Sequence, residues 1–106
     1  MKKFVFLYKG NGSAPAGSQE ETMKAWMDWF TELGAIVVDG GNPFNDGGQA
    51  VTKNGVSEIN QSSAVTGYTI VNAQDMAAAV EIAKGCPVHL QEGGVASVEV
   101  FEALPM

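Results

Sequence analysis

The stretch from Gly67 to Pro87 constrains the fold more than any other part of this chain. It opens with β-branched and aromatic residues. Apolar side chains occur at both odd and even positions, and therefore on both faces of a strand, which predicts a strand covered on both sides. Asn72 is then expected to cap a helix, with Asp75 completing a variant of the capping box. Gly85 is expected to end that helix in a left-handed conformation, before Pro87 blocks continuation. The stretch therefore predicts a buried strand that feeds directly into a helix.

Two amphipathic helices are predicted, one on each side of the middle of the chain. The first is expected to begin at the Ser18–Glu21 capping box and to end at Gly34. Apolar residues at helical spacing predict its core-facing stripe, which Trp29 and Leu33 widen: Met23, Trp26, Met27 and Phe30. The second helix has a comparable stripe: Met76, Ala79, Val80 and Ala83.

The remaining apolar segments alternate as strands do and complete the predicted sheet. They are Lys2–Lys9, Ala35–Asp39, Gln49–Lys53, Val56–Asn60 and Val95–Glu102. The dipeptide Asn54-Gly55 predicts a two-residue type I′ turn, so the two weak strands beside it are expected to form a hairpin. Without the hairpin the order is βαββαβ. We therefore predict a single α+β domain over residues 1–106, with a ferredoxin-like antiparallel sheet, both helices on one face, and an extra β-hairpin.

The strands are apolar on both faces, although both helices are expected to cover only one. A soluble monomer rarely leaves so large an apolar face in water. A second copy of the chain is the simplest cover, so a homodimer through the helix-free face is predicted.

The charged residues limit the classes of partner that this chain can be expected to bind. The net charge is −6, all six basic residues are lysines, and they form no stripe along the chain. Planar bidentate recognition of phosphate relies on Arg, and binding to nucleic acid depends on neutralising phosphates. Neither nucleic acid nor a membrane surface is therefore expected as a partner. The apolar run Phe4–Leu7 is too short for a signal peptide or a membrane span, so a cytoplasmic location is the default expectation.

Several short motifs, in order and spacing over nearly the whole chain, give it a family resemblance. They are Lys3–Lys9, Trp26 and Trp29 with Gly34, Asp39–Phe44, Gly67–Ile70, Cys86-Pro87, and Gly93-Gly94 leading to Val98–Val100. In this respect the chain resembles the YCII-related proteins (the DGPF/YCII family), small bacterial domains of the dimeric α/β-barrel superfamily. The resemblance implies a homodimer whose sheets face each other, and a pocket between each sheet and its helices.

The chain departs from that family at two places. Some members are thought to carry a His-Asp pair, whereas the first predicted helix here has no histidine. The Asp-Gly-Pro-Phe motif of one large branch is replaced by Ser57–Asn60. An enzymatic role therefore cannot be carried over residue by residue.

Four residues are candidates for a ligand site between the first helix and the sheet, near the loop after Asp39. Trp26 would supply an apolar wall, Tyr68 a hydroxyl, Asp39 a carboxylate, and His89 a contribution from the loop after the second helix. Each also has a structural interpretation. Asp39 in particular is expected to bond the backbone amides of the following glycine loop.

The single cysteine, Cys86, excludes an internal disulfide framework and is interpreted as a packed structural thiol. With one His and one Cys, neither a metal site nor a cofactor is predicted.

Three functions are compatible with these residues. The first is a non-catalytic module that binds a small organic molecule in the pocket. The second is an enzyme that uses Asp39 or His89 in acid–base chemistry. The third is a dimeric accessory protein whose surface matters more than its pocket.

Overall fold

A computed structural model describes residues 1–9, 19–44, 48–59, 65–90 and 96–105. Its main sheet is formed by β1 (Lys2–Lys9), β2 (Val37–Asp39), β5 (Val65–Ala73) and β6 (Ser97–Ala103). The strand order is β2-β5-β1-β6, and every neighbouring pair is antiparallel. Together with two α-helices, this order is compatible with a ferredoxin-like α+β fold. Neither helix of the described residues combines the length and hydropathy needed to cross a membrane.

The central strand β1 shows why the sheet has a buried and a helix-free face. Phe4, Phe6 and Tyr8 are buried, whereas the alternate residues Val5 and Leu7 are only half-buried. Successive side chains of a strand point to opposite faces, so the three aromatic rings lie under the helices. They belong to a core with the following members: Phe4, Phe6, Tyr8, Trp29, Val71, Ala73, Ala79, Ala83, Cys86 and Val88.

Helix α1 (Gln19–Leu33) packs on that core mainly through Trp29, which was expected to widen the core-facing stripe. Trp29 is buried, and its ring stacks on Phe6 with the ring centroids 6.5 Å apart. Met23 and Met27 are instead both 66% exposed, so the predicted core stripe is wrong at these two positions. The expected start of the helix at Ser18 lies outside the described residues.

Helix α2 (Met76–Lys84) begins three residues later than the Asn72 cap would place it. Its N-cap is Asp75, whose Oδ1 accepts a 2.8 Å hydrogen bond from the Ala78 amide. Asn72 instead extends strand β5, where it pairs with Lys3. Strand β5 continues through Ala73, so the helix cannot begin directly after Asn72, and Asp75 caps it instead.

The other end of α2 also differs from the prediction. Gly85 has a φ of −86°, so its conformation is not left-handed. Its amide donates to the Ile82 carbonyl at 3.2 Å, which tightens the last turn, and a 3-10 helix then follows at Pro87–Leu90. Along the helix Ala79 and Ala83 are buried as predicted, whereas Met76 and Val80 are exposed. Only the small side chains of the predicted stripe therefore face the sheet.

The strands β3 (Gln49–Thr52) and β4 (Gly55–Glu58) pair with each other in a separate two-stranded sheet. Thr52 is paired with Gly55, so the two loop residues are Lys53 and Asn54. The predicted turn at Asn54-Gly55 is therefore displaced by one position. It is also not type I′, because that turn needs positive φ at both loop residues, and Gly55 alone in this segment has positive φ, at +139°.

Candidate ligand-binding groove

An open groove of about 580 Å³ lies between α1, the sheet, and the loop that follows β2. We call it the α1 groove, and its described lining consists of Tyr8, Met23, Trp26, Met27, Phe30, Gly40, Gly41, Asn42, Pro43, Phe44, Thr66, Gly67, Tyr68, Thr69 and Val88. Its volume is within the range of pockets that hold small organic molecules, about 300–1,000 Å³.

One wall of the groove is the apolar stripe of α1 that the sequence assigned to the core. Met23, Trp26, Met27 and Phe30 all line it. Residues three and four positions apart share a helix face, so the four side chains form one continuous surface. The two methionines are the most exposed part of this wall. A flexible, polarizable thioether side chain adapts to ligands of different shape, as Met-rich binding surfaces do.

Trp26 joins this wall to the floor of the groove. Its ring meets Tyr8 edge-on, with the centroids 5.1 Å apart and the planes at 78°. It meets Trp29 in the same manner at 5.7 Å. Edge-to-face contacts are favourable because the positive rim of one ring faces the negative face of the other. Trp26 is thus fixed on the core side while part of its surface stays open to the groove.

Two hydroxyl groups at the floor are linked in a chain. Tyr8 donates to Thr69 Oγ1 at 2.6 Å, and Thr69 donates to the carbonyl of Gly40 at 3.0 Å. Thr69 is fully buried and Tyr8 nearly so, and buried polar groups need partners of this kind. The chain ties the loop after β2 to the central strand, and it holds the Tyr8 ring in place beneath Trp26.

The thiol of Cys86 is buried beside the Tyr8 hydroxyl, at the inner end of this chain. Burial raises the pKa of the Cys86 thiol to about 12, and burial likewise raises the pKa of Tyr8. A thiol with a raised pKa is a poor nucleophile at neutral pH, because the thiolate is the reactive form. Cys86 is therefore a packing residue of the core, in keeping with its interpretation as a structural thiol.

Asp39 lies at an irregularity of the sheet that places it beside Tyr68. Val37 is opposite Val71, but the register shifts before Asp39, which is opposite Ile70. Tyr68 is opposite Leu7, so the alternation of β5 directs its side chain to the helix-free face. There its hydroxyl donates to Asp39 Oδ2 at 3.2 Å. This hydrogen bond and the carboxylate charge raise the pKa of Tyr68.

The same carboxylate organises the loop that borders the groove. The amide of Gly41 donates to Asp39 Oδ1 at 2.8 Å, as the structural interpretation of Asp39 expects. The loop then runs along β5, where Pro43 bridges to Gly67 and the Phe44 amide donates to the Thr66 carbonyl at 2.8 Å. Phe44 packs near Tyr68, with ring centroids 5.9 Å apart.

The four predicted site residues thus have different positions. Trp26 lines the groove wall, and Tyr68 borders the groove but bonds Asp39 on the helix-free face. Asp39 is not among the lining residues. Only the backbone of His89 is described, within Pro87–Leu90, so the prediction for its side chain lies outside the described part of the structure.

Sequence reasoning missed the floor residues Tyr8 and Thr69, because each reads as an ordinary inward-facing strand residue. Their spacing of 61 residues left no local signal for the bond between them. Among the described residues there is no cluster of acidic, His or Cys side chains able to hold a metal ion.

A scan of the chain against protein-family models finds no match, and a search of the curated proteins finds no significant relative.

Proposed function

We propose that this chain is a small-molecule-binding protein whose ligand occupies the α1 groove. The observation that carries the proposal is the exposure of Met23 and Met27 on the groove wall. The sheet leaves this apolar helix face open to water. Binding an apolar molecule there removes apolar surface from water, which is favourable. Two further features support it: the volume suits a small organic molecule, and Trp26 and Tyr8 hold each other in a fixed geometry before any ligand binds.

As part of the same proposal, the protein is YCII-related, cytoplasmic, and a homodimer of the dimeric α/β-barrel type. The family assignment rests on the order and spacing of the short sequence motifs between Lys3 and Val100. The proposed dimer is supported by the helix-free face of the sheet, where Val5 is paired with Ile70 on one side and Phe101 on the other. These three side chains form an apolar row across three strands, and Phe101 is 52% exposed. A second copy that covered the row would remove this surface from water.

The alternative of acid–base chemistry at Asp39 is less well supported. One carboxylate oxygen accepts from the Gly41 amide, and the other accepts from the Tyr68 hydroxyl. Asp39 also does not line the groove, so a ligand held there has no direct contact with the carboxylate. General-base catalysis requires the base within hydrogen-bond reach of the proton it removes.

A ligand screen by thermal unfolding tests the proposal. A ligand present at about one hundred times its Kd stabilises the native state by about 2.7 kcal/mol, and this should raise Tm by at least roughly 10 °C for a domain of this size. We expect at least one compound of a metabolite library to produce such a shift.

Methyl NMR of methionine-labelled protein then locates the binding site. The chain has five methionines, of which Met23 and Met27 line the groove and Met76 lies on α2. Binding in the groove should shift the first two methyl signals and leave Met76 unchanged. A library without any stabilising compound, or a ligand that moves only Met76, would contradict the proposal.

A further inference from the structure

The chemistry of the groove lining also selects the kind of ligand. Resting on the proposed function, we infer that the α1 groove takes an aromatic molecule without negative charge and rejects anions such as carboxylates and phosphates. Three features of the protein set this selectivity: the hydrogen bonds of the lining hydroxyls, the aromatic rings of the wall, and the net charge of the chain.

Every hydroxyl group of the described lining donates its proton to an acceptor of the protein itself. Tyr8 donates to Thr69, and Thr69 to the Gly40 carbonyl. Thr66 donates to the Tyr8 carbonyl at 3.2 Å, and Tyr68 donates to Asp39. An anion buried in a protein needs donors to replace the water it loses. These hydroxyls would have to give up existing bonds in order to supply them.

The rest of the described lining offers no compensating positive charge. None of its residues carries a formal charge, and the chain as a whole has a net charge of −6. A negative protein repels anions over distances of about the Debye length, roughly 8 Å at physiological ionic strength. An anionic ligand would therefore pay a desolvation cost in the groove and be repelled during its approach.

The rings along the groove favour a flat apolar ligand. Trp26, Phe30 and Tyr8 all line it, and the Trp26 and Phe30 centroids are 6.0 Å apart with planes at 31°. Aromatic side chains pair well with another ring, in offset-stacked or edge-to-face geometry. The neighbouring thioethers of Met23 and Met27 make favourable contacts with ring edges as well.

Three naphthalene probes that differ mainly in charge test this inference. They are 2-naphthol, which is neutral at pH 7, 2-naphthoate, which is an anion, and 2-naphthylmethylammonium, which is a cation. Affinities are measured by isothermal titration, and the site is located by the methyl signals of Met23 and Met27. We expect 2-naphthol and 2-naphthylmethylammonium each to bind at least about tenfold more tightly than 2-naphthoate, because the described lining holds no positive charge and its hydroxyls already donate within the protein.

A substitution that adds a cation to the wall sharpens the test. Met27→Lys places an ammonium at the groove, and Lys is as good a helix former as Met. We expect it to reduce the preference for 2-naphthol over 2-naphthoate by at least about threefold, through charge attraction at short range. The matched control is Met76→Lys, the same change at an exposed position of α2 away from the groove, which should leave the preference unchanged.

The possible results separate this inference from the proposed function. If 2-naphthoate binds as tightly as 2-naphthol and shifts the Met23 and Met27 methyls, the inference is wrong and the groove is still a binding site. An anionic compound from the metabolite screen that binds there would have the same meaning. If none of the probes binds, or if Met76→Lys alters selectivity as much as Met27→Lys does, the inference is overturned as well.

Discussion

Among the described glycines, Gly41 is the one at which an added methyl group should lower the free energy of unfolding most. Its φ is +75°, a conformation that side chains rarely adopt. A Cβ added there would overlap the carbonyl oxygen of Tyr68 and lie 2.7 Å from its carbonyl carbon. Both atoms belong to the backbone of a paired strand, so the loop must move rather than the strand. Gly41→Ala therefore should detach the loop from β5.

The cost can be estimated from the contacts that the loop makes. Left-handed backbone costs a non-glycine residue about 1–2 kcal/mol. Displacing the loop also disturbs three hydrogen bonds: Gly41 to Asp39, Thr69 to Gly40, and Phe44 to Thr66. At about 1 kcal/mol each, these bring the expected loss of unfolding free energy to about 4–5 kcal/mol. That is a large part of the 5–15 kcal/mol typical of a small domain.

Substitutions at two other glycines distinguish the cost of backbone strain from the cost of the steric overlap with Tyr68. Gly34 has a φ of +58°, and an added Cβ would have nothing within 4 Å among the described residues. Gly34→Ala should therefore cost only the strain, about 1–2 kcal/mol. Gly40 has neither a positive φ nor a neighbour within 4 Å of an added Cβ, so Gly40→Ala should change stability by less than about 1 kcal/mol.

The assay is urea unfolding followed by tryptophan fluorescence, with all three variants compared at the same pH. The expected order of destabilisation is Gly41→Ala, then Gly34→Ala, then Gly40→Ala. If Gly41→Ala lost no more free energy than Gly34→Ala, the close approach of the loop to β5 would be refuted.

Three further outcomes are expected. Asp39→Asn should return the raised pKa of Tyr68 toward its ordinary value, since the hydrogen bond and charge of the carboxylate cause the shift; an unchanged Tyr68 titration by NMR would disprove the contact. Because the pKa of Cys86 is raised from 9.0 to about 12, its contribution to stability is complete below pH 9 and is lost as pH rises toward 12. Cys86→Ala should make the alkaline fall in unfolding free energy less steep over that interval, and equally steep curves would count against burial of the thiol. Light scattering should report twice the 11.1 kDa chain mass, and Phe101→Lys should shift the protein toward monomer while Val80→Lys on α2 does not; a monomeric wild type would exclude the dimer.

The sheet was predictable because alternation is a local signal. Strand β1 has the bounds expected from its sequence, and Phe4 and Phe6 on its inner face are fully buried. The ends of α2 were not predictable, because Asn72 and Asp75 are both good caps and only the extent of β5 decides between them. A local pattern therefore identifies an element more securely than its limits.

The site was predictable only in part, for two physical reasons. The periodicity of Met23, Trp26, Met27 and Phe30 shows that one helix face is apolar, but not whether the sheet or an open groove lies opposite. Simple alternation would place the side chain of Asp39 on the same face of the sheet as that of Val37. The register shift between the two residues places it on the opposite face. No residue in that short strand marks the irregularity.

The pairing of β1 also affects how the chain folds as it is synthesised. This strand is central in the sheet, and its partners β5 and β6 come from the last part of the chain: Lys3 pairs with Ala103, and Lys9 with Ser97. Closing such distant pairs requires a large loss of chain entropy before the contacts compensate for it, which slows folding. On the ribosome, Phe4 and Phe6 must therefore remain without their native strand partners until β5 and β6 have emerged. During that interval β1 has two open edges and is the segment most exposed to association with other chains.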